Sequence, residues 1–411
     1  MTGSATASEV SSGSLYPCFS RTDVRFSHGN GAWLFGTDGR RYLDFATGIA
    51  VTALGHSHPR LIEALIRQAR QVWHVSNAFR IPEQEQLAER LCAETFADRV
   101  FFSNSGAEAL ETAIKTARRY HFVGGNPQRC RLLTFEGGFH GRTLATIAAG
   151  GQPKYLEGFG LPVGGFDHVP FGDLEALEAA CGVETAGILI EPIQGESGVR
   201  ALPTESLVKI RALCDRHGLL LILDEVQTGI GRTGHLFAYQ RTGITPDILA
   251  SAKGLGNGFP VAACLATEAA AAGMTAGTHG STFGGNPLAM TVASEVVDIV
   301  LRPGFLDQVR SSGERLNQGL EALAADFPTT FQGVRGEGLL LGLQCGRPVR
   351  DVARAAREYG LLTVVAGDDV LRILPPLNVS IEEIEESLKR LRSAALSLSP
   401  AGQTTTARSE A

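Results

Sequence analysis

Lysine is scarce in this chain. Among 411 residues and 37 basic side chains only Lys115, Lys154, Lys209, Lys253 and Lys389 are lysines, so arginine carries nearly all the positive charge. No apolar run approaches the roughly 20 residues needed to span a bilayer. The opening residues, MTGSATASEVSSGS, lack the basic segment and apolar core of a secretory signal. The seven cysteines (Cys18, Cys92, Cys130, Cys181, Cys214, Cys264 and Cys345) are scattered, odd in number and free of CxxC spacing. That pattern argues against a disulfide framework or a structural zinc site, and the expectation is a cytoplasmic protein in a reducing compartment with no resident metal. A formal net charge of −6, with no basic run, gives no reason to expect nucleic acid or a membrane surface as partner. No GxGxxG follows the early strand-like segments, which disfavours a dinucleotide fold.

What is present is ordinary globular composition, 44% hydrophobic and 19% charged, in a chain too long for one compact core. Residues 1–14 and 399–411 read as polar, disordered tails. Gly31 to Phe45 alternates around Asp38-Gly39, a hairpin signal. After an irregular loop from Gly48 to His56, a helix is expected from Pro59, presenting Leu61, Ile62, Leu65, Ile66, Ala69, Val72 and Trp73. His56 and His58 lack a companion ligand, so helix entry is a better reading of them than metal. Strand-like runs at Val100–Phe102, Arg131–Phe135, Gly187–Ile190 and Leu219–Leu223 alternate with helical segments. The pattern predicts a mainly parallel sheet with right-handed crossovers. A long helix after Asn286-Pro287 leads into a second lobe with a helix near Phe305–Leu323, a strand near Gly338–Gln344 and a terminal helix through Ile381, Ile384, Leu388 and Leu391.

Three strand ends carry chemistry. The buried run Leu219–Leu223 ends in Asp224 and Glu225, and carboxyl ends of strands are where open α/β sheets bind ligands. Ser103 to Ala107 is a turn of small polar residues into a helix, a cradle for an anion. The short run Asp247–Ala250 leads to Lys253 and then Gly254, Gly256 and Gly258. Lys115 and Lys209 fall in helical patterns, Lys389 on a charged helix face and Lys154 in a polar loop. Lys253 alone sits where a desolvated amine could form a Schiff base. Pyridoxal phosphate requires such a lysine, a carboxylate at its ring nitrogen, a phosphate site at a helix terminus and an aromatic to stack on the ring. Asp224, the Ser105-Gly106-Ala107 turn and Phe139 supply the last three.

With those residues identified, the chain resembles the class III, fold-type-I aminotransferases from about Tyr16 to Leu398. The motifs are SNSGAEA (103–109), FHGRT (139–143), EPIQGE (191–196), LDEVQTGIGRTG (223–234), AKGLGNGFP (252–260) and THGSTFGGNPLA (278–289). The resemblance implies an α/β fold. Its larger domain (58–290) would hold a mainly parallel seven-stranded sheet, and a smaller α+β domain would be built from 15–57 and 291–398. It implies Lys253 as Schiff-base lysine and proton shuttle, Asp224 on the pyridinium nitrogen, Val226 and Phe139 on the ring faces and Gln227 near the ring hydroxyl. Ser105, Gly106 and Ala107 would hold the phosphate, with His140 and Glu225 also among the cofactor residues. Thr282 would reach the phosphate of a neighbouring subunit, implying a homodimer with shared sites, and Ser281 would lie near the substrate.

For the substrates, the resemblance puts Arg142 on the α-carboxylate of acetylornithine and Arg372 on that of glutamate or 2-oxoglutarate. Guanidinium forks suit both sites because they bind carboxylates bidentately. Glu196 would neutralise Arg372 while the first substrate is bound. The implied activity is transfer of the δ-amino group of acetylornithine to 2-oxoglutarate in arginine biosynthesis, with succinyl-diaminopimelate as a further donor. The alternatives are an ω-aminotransferase for ornithine, succinylornithine or 4-aminobutyrate, or a cofactor-binding regulatory protein without turnover. Thr52 stands where the family more often has Asn.

Overall fold

The computed structural model describes residues 14–398. The two expected tails therefore lie outside the described residues, apart from Ser14. The central sheet has seven strands in the order Arg99–Ser103, Ala262–Ala266, Ile248–Ser251, Leu220–Asp224, Thr185–Ile190, Arg131–Phe135 and Phe166–Val169. Ala262–Ala266 runs antiparallel to both of its neighbours. The other six strands share one direction. Every residue of Thr185–Ile190 and of Leu220–Asp224 is buried, as expected when helices cover both faces of a parallel sheet. The helices Gly106–Val123 and Thr204–His217 both pack on the sheet.

Because the six strands are parallel, their carboxyl ends line one edge. The chain turns there five times next to chemistry-bearing residues. Ser103 leads to Ser105, Phe135 to Phe139, Ile190 to Glu191 and Ser251 to Lys253, while Asp224 is itself the last residue of its strand.

Beyond the central sheet, Phe331–Glu337, Leu340–Cys345, Val370–Ile373 and Val364–Ala366 form an antiparallel sheet in that order. Arg372 sits on its third strand. A separate sheet joins the two ends of the chain. Phe26–Asn30, Trp33–Gly36 and Arg41–Asp44 form a meander, and Leu361–Leu362 adds to it in parallel. The expected hairpin around Asp38-Gly39 is present, with Gly39 at φ +80°.

Three local expectations differ from what is seen. The helix from Pro59 stops at Ala69 and buries Leu61, Ala64 and Gln68. Ile62, Ile66, Val72 and Trp73 are exposed, because the helix meets the core along a narrower face than its apolar residues suggest. The strand Phe331–Glu337 was not expected, since Gly333, Arg335 and Gly336 mask its β pattern. Lys154 lies on a short helix, Pro153–Leu156, rather than in a loop. Among the described residues, no helix is long and apolar enough to cross a membrane.

Candidate active site

The strand ends enclose a cavity of about 280 Å³, near the roughly 300 Å³ lower bound usual for small-molecule sites. Asp224 is 4% exposed and enters from the middle of the sheet. Its Oδ1 accepts from the Val226 N–H at 3.1 Å, and its Oδ2 lies 2.8 Å from His140 Nδ1. Both groups are out of water. Burial alone would pull the imidazole pKa down, but the hydrogen bond and charge of Asp224 outweigh it, and the His140 pKa is raised. The hydrogen bond to Asp224 thus favours the charged form of His140.

Glu191, which opens the EPIQGE motif, is a second carboxylate at the cavity, and nothing local in the sequence marks it as a site residue. Its Oε1 accepts from the Phe139 N–H at 2.8 Å. Burial, reinforced by the charge of Asp224, pushes its pKa up to about 7. Two buried carboxylates, Glu191 and Asp224, thus hold the segment that carries Phe139 and His140.

Lys253 follows the Ile248–Ser251 strand with φ +45°, a left-handed conformation that a non-glycine residue adopts at some cost. Protein surrounds its side chain except on the cavity side, where part of its surface stays open. Burial, then the nearby charge of Arg372, lowers its pKa to about 8. No hydrogen bond or ion pair occupies its amine among the described residues. A lysine so placed is an available nucleophile rather than a structural cation.

The anion end of the cavity is the start of the Gly106–Val123 helix. Ser105 is its N-cap and accepts from the Glu108 N–H at 3.3 Å. Ser105, Gly106 and Ala107 line the cavity where first-turn N–H groups have no helical acceptor. A Cβ on Gly106 would come within 2.8 Å of Val226 Cγ1, so glycine is what lets the helix end close against Val226. Phe139 lines the same cavity. A free amine, a buried carboxylate, a helix N-terminus and apolar side walls in one cavity fit pyridoxal phosphate.

Arg372 adjoins this set and is fully buried. Its Nη1 donates to Gln227 Oε1 at 3.0 Å and its Nη2 to Glu196 Oε1 at 2.9 Å. Glu196 and Gln227 both line the cavity.

Four expected site residues lie elsewhere. Glu225 does not reach the cavity. It is buried beneath the turn, and its oxygens accept from the N–H groups of Ala238 and Tyr239 and from the Thr228 hydroxyl. Adjacent residues after a strand point to opposite sides, so the acid beside Asp224 faces the interior instead. Arg142 is exposed and stacks on Tyr155, its guanidinium carbon 3.9 Å from the ring centroid. Ser281 and Thr282 line a separate cavity of about 330 Å³. Ser281 Oγ caps the Gly284 N–H at 2.9 Å, and Thr282 is exposed.

This fold and site define the class. The chain belongs to the class III aminotransferases, pyridoxal-phosphate-dependent transaminases, whose family model (Aminotransferase class-III) matches residues 19–395. Among curated relatives, the acetylornithine aminotransferase of Mesorhizobium japonicum is 60% identical over 392 residues, covering 95% of this chain and 98% of its own. The acetylornithine aminotransferase of Agrobacterium fabrum is 59% identical, covering 93% and 96%. Among solved structures, the N-acetylornithine aminotransferase of Stenotrophomonas maltophilia matches with TM-score 0.81 at 38% identity, covering 92% and 96%. The ornithine aminotransferase of Toxoplasma gondii matches with TM-score 0.90 at 31% identity, covering 93% of each chain.

Proposed function

We propose that the chain transfers the δ-amino group of N-acetylornithine to 2-oxoglutarate, giving N-acetylglutamate 5-semialdehyde and glutamate, in the cytoplasm and as a step of arginine biosynthesis. Succinyl-diaminopimelate would be a chemically similar second donor. The observation that carries the reading is the Arg372–Glu196 pair beside Lys253. One site must accept two substrates in turn, one of which presents a carboxylate that the other lacks at that position. A buried guanidinium with a retractable carboxylate cover meets that requirement.

Bound pyridoxal phosphate supplies an electron sink for the pair released when a substrate C–H bond breaks. Asp224, hydrogen-bonded to His140, would pair with the ring nitrogen and hold its proton. Phe139 and Val226 would confine the ring, Gln227 would serve the ring hydroxyl, and Ser105, Gly106 and Ala107 would anchor the phosphate, all six lining the one cavity. The Lys253 amine, its pKa lowered to about 8, would hold the cofactor through its carbonyl carbon and would carry the proton released from the substrate. Arg142 binds the α-carboxylate of the amine donor, leaving the δ-amine at Lys253.

We place two copies in the working assembly, with Thr282 of each completing the phosphate site of the other and Ser281 near its substrate. Exposed Thr282 and the apolar surface of Ile62, Ile66, Trp73, Phe79 and Phe283 support this. A monomer in sedimentation at micromolar concentration would refute it.

A second reading, ornithine as donor, is favoured by the higher backbone similarity to the Toxoplasma enzyme. Backbone similarity at 31% identity reports the fold, whereas 60% identity over 392 residues supports N-acetylornithine as the donor. Ranking kcat/KM for N-acetylornithine, ornithine, succinylornithine and 4-aminobutyrate against 2-oxoglutarate decides between them. A clear lead for ornithine or 4-aminobutyrate would reject the first reading.

A further inference from the structure

The two arginines assigned to substrate carboxylates are held in opposite ways. Arg372 is buried and paired with an acid. Arg142 is exposed and, among the described residues, makes no hydrogen bond or ion pair. Its guanidinium carbon lies 3.9 Å from the centroid of Tyr155 and 5.6 Å from that of Phe139. The two rings meet edge to face, with centroids 5.9 Å apart and planes at 82°. Lys154 Nζ lies 4.8 Å from the same tyrosine ring.

A guanidinium attracted to a ring face keeps its in-plane N–H donors free, whereas one held by a carboxylate has them occupied. Immobilising the fork on a ring leaves it preorganised for a planar anion and removes the need to displace an internal acid. We propose that Tyr155 is the positioning residue that presents Arg142 to donors bearing an α-carboxylate, and so sets that part of the donor specificity. This rests on the reading of Arg142 as the donor's carboxylate anchor. The ring face is the operative part of Tyr155, since its hydroxyl makes no hydrogen bond among the described residues. Phe139 joins the arrangement from the cofactor side, so Arg142 is held in fixed relation to the wall of the main cavity.

The test uses two donors on the cofactor-loaded enzyme, N-acetylornithine and its decarboxylated counterpart N-acetyl-1,4-diaminobutane. Tyr155→Leu should raise KM for N-acetylornithine by about tenfold, with a smaller change in kcat. It should leave the decarboxylated donor and the 2-oxoglutarate half-reaction near their wild-type values. Tyr155→Phe should restore the preference for the carboxylate-bearing donor. The cofactor absorption band reports correct folding, and Tyr155→Met replaces the leucine variant if that protein does not accumulate. Equal losses with both donors would mean a structural role and overturn the proposal, as would an unchanged ratio. Arg142→Leu is the separate check. If it leaves the ratio between the donors unchanged, Arg142 is not the anchor. If it abolishes the ratio while Tyr155→Leu does not, only the role of Tyr155 fails.

Discussion

The Arg372 guanidinium is wholly buried, and the carboxylate it meets, Glu196 Oε1 at 2.9 Å, keeps 28% of its side chain exposed. The asymmetry sets which partner moves. Removing Arg372 would cross a packed antiparallel sheet, while Glu196 sits on a loop and can swing into the cavity. A buried charge that loses its partner is strongly disfavoured, so Glu196 should leave only when another carboxylate arrives.

Replacing Glu196 with Gln keeps the shape and removes the charge. Arg372 then attracts the carboxylate of whichever substrate is present, including the donor in the wrong orientation. The expected result is a donor half-reaction slowed by about tenfold or more, equivalent to roughly 1.4 kcal/mol, with the 2-oxoglutarate half-reaction little changed. Single-turnover absorbance traces with each substrate alone measure this, and equal losses would reject the switching role.

Arg372→Lys keeps the charge and loses the fork. Only one of the contacts to Gln227 and Glu196 could be kept by a single ammonium, and a bound carboxylate loses its second hydrogen bond. Charge-assisted bonds contribute about 1.5–3 kcal/mol, so KM for 2-oxoglutarate should rise between tenfold and a hundredfold. Steady-state titration of 2-oxoglutarate at saturating donor checks it. A change below threefold would mean that the fork is not what holds the substrate.

How legible was this site beforehand? The parallel strands, their buried runs and the acids at their ends follow from periodicity and turn residues, which are local properties. Lys253 stood out because lysine is scarce and because this one lies between a buried strand and a glycine-rich loop. The His140–Asp224 bond joins residues 84 positions apart, and nothing local to either announces it. Glu225 shows the opposite limit. Its neighbour Asp224 faces the cavity, and identity alone does not say which of two consecutive acids turns inward to the Ala238 and Tyr239 N–H groups. The Phe331–Glu337 strand is hidden for a related reason: Gly336 satisfies close approaches to Val199 and Leu340 rather than a β pattern.

Lys253 should make the apoprotein less stable at neutral pH. Its folded pKa of about 8 lies below the ordinary lysine value of 10.5, so between those two values the unfolded chain binds more protons. Stability then rises with pH across that window, and below about pH 8 the whole cost is present. At about 1.4 kcal/mol per pKa unit the limit is about 3 kcal/mol, reduced by water in the cavity. Lys253→Met should therefore unfold at higher denaturant at pH 7 than the wild-type apoprotein, with its advantage shrinking as pH approaches 10.5. Urea titrations of both apoproteins at pH 7 and pH 9.5 measure this, and an advantage that grows with pH would contradict the assigned shift.

Gly106 offers a test of the helix terminus that leaves every charge in place. Alanine is a better helix former than glycine by up to about 1 kcal/mol, so on propensity alone Gly106→Ala would stabilise the Gly106–Val123 helix. The added Cβ, however, would lie 2.8 Å from Val226 Cγ1 and 3.1 Å from Cγ2. Relief requires that Val226 rotate or that the helix start shift. Rotating Val226 reshapes the cavity wall it lines, and moving the helix start changes the spacing between the anion end and the ring end of the cavity. Either change predicts a cofactor dissociation constant raised by about tenfold or more, equivalent to roughly 1.4 kcal/mol, with the melting temperature of the apoprotein lowered because the clash outweighs the propensity gain. Cofactor titration followed by absorbance, alongside thermal unfolding of the apoprotein, separates the two terms. Unchanged cofactor affinity would show that the helix end and Val226 yield without moving the site.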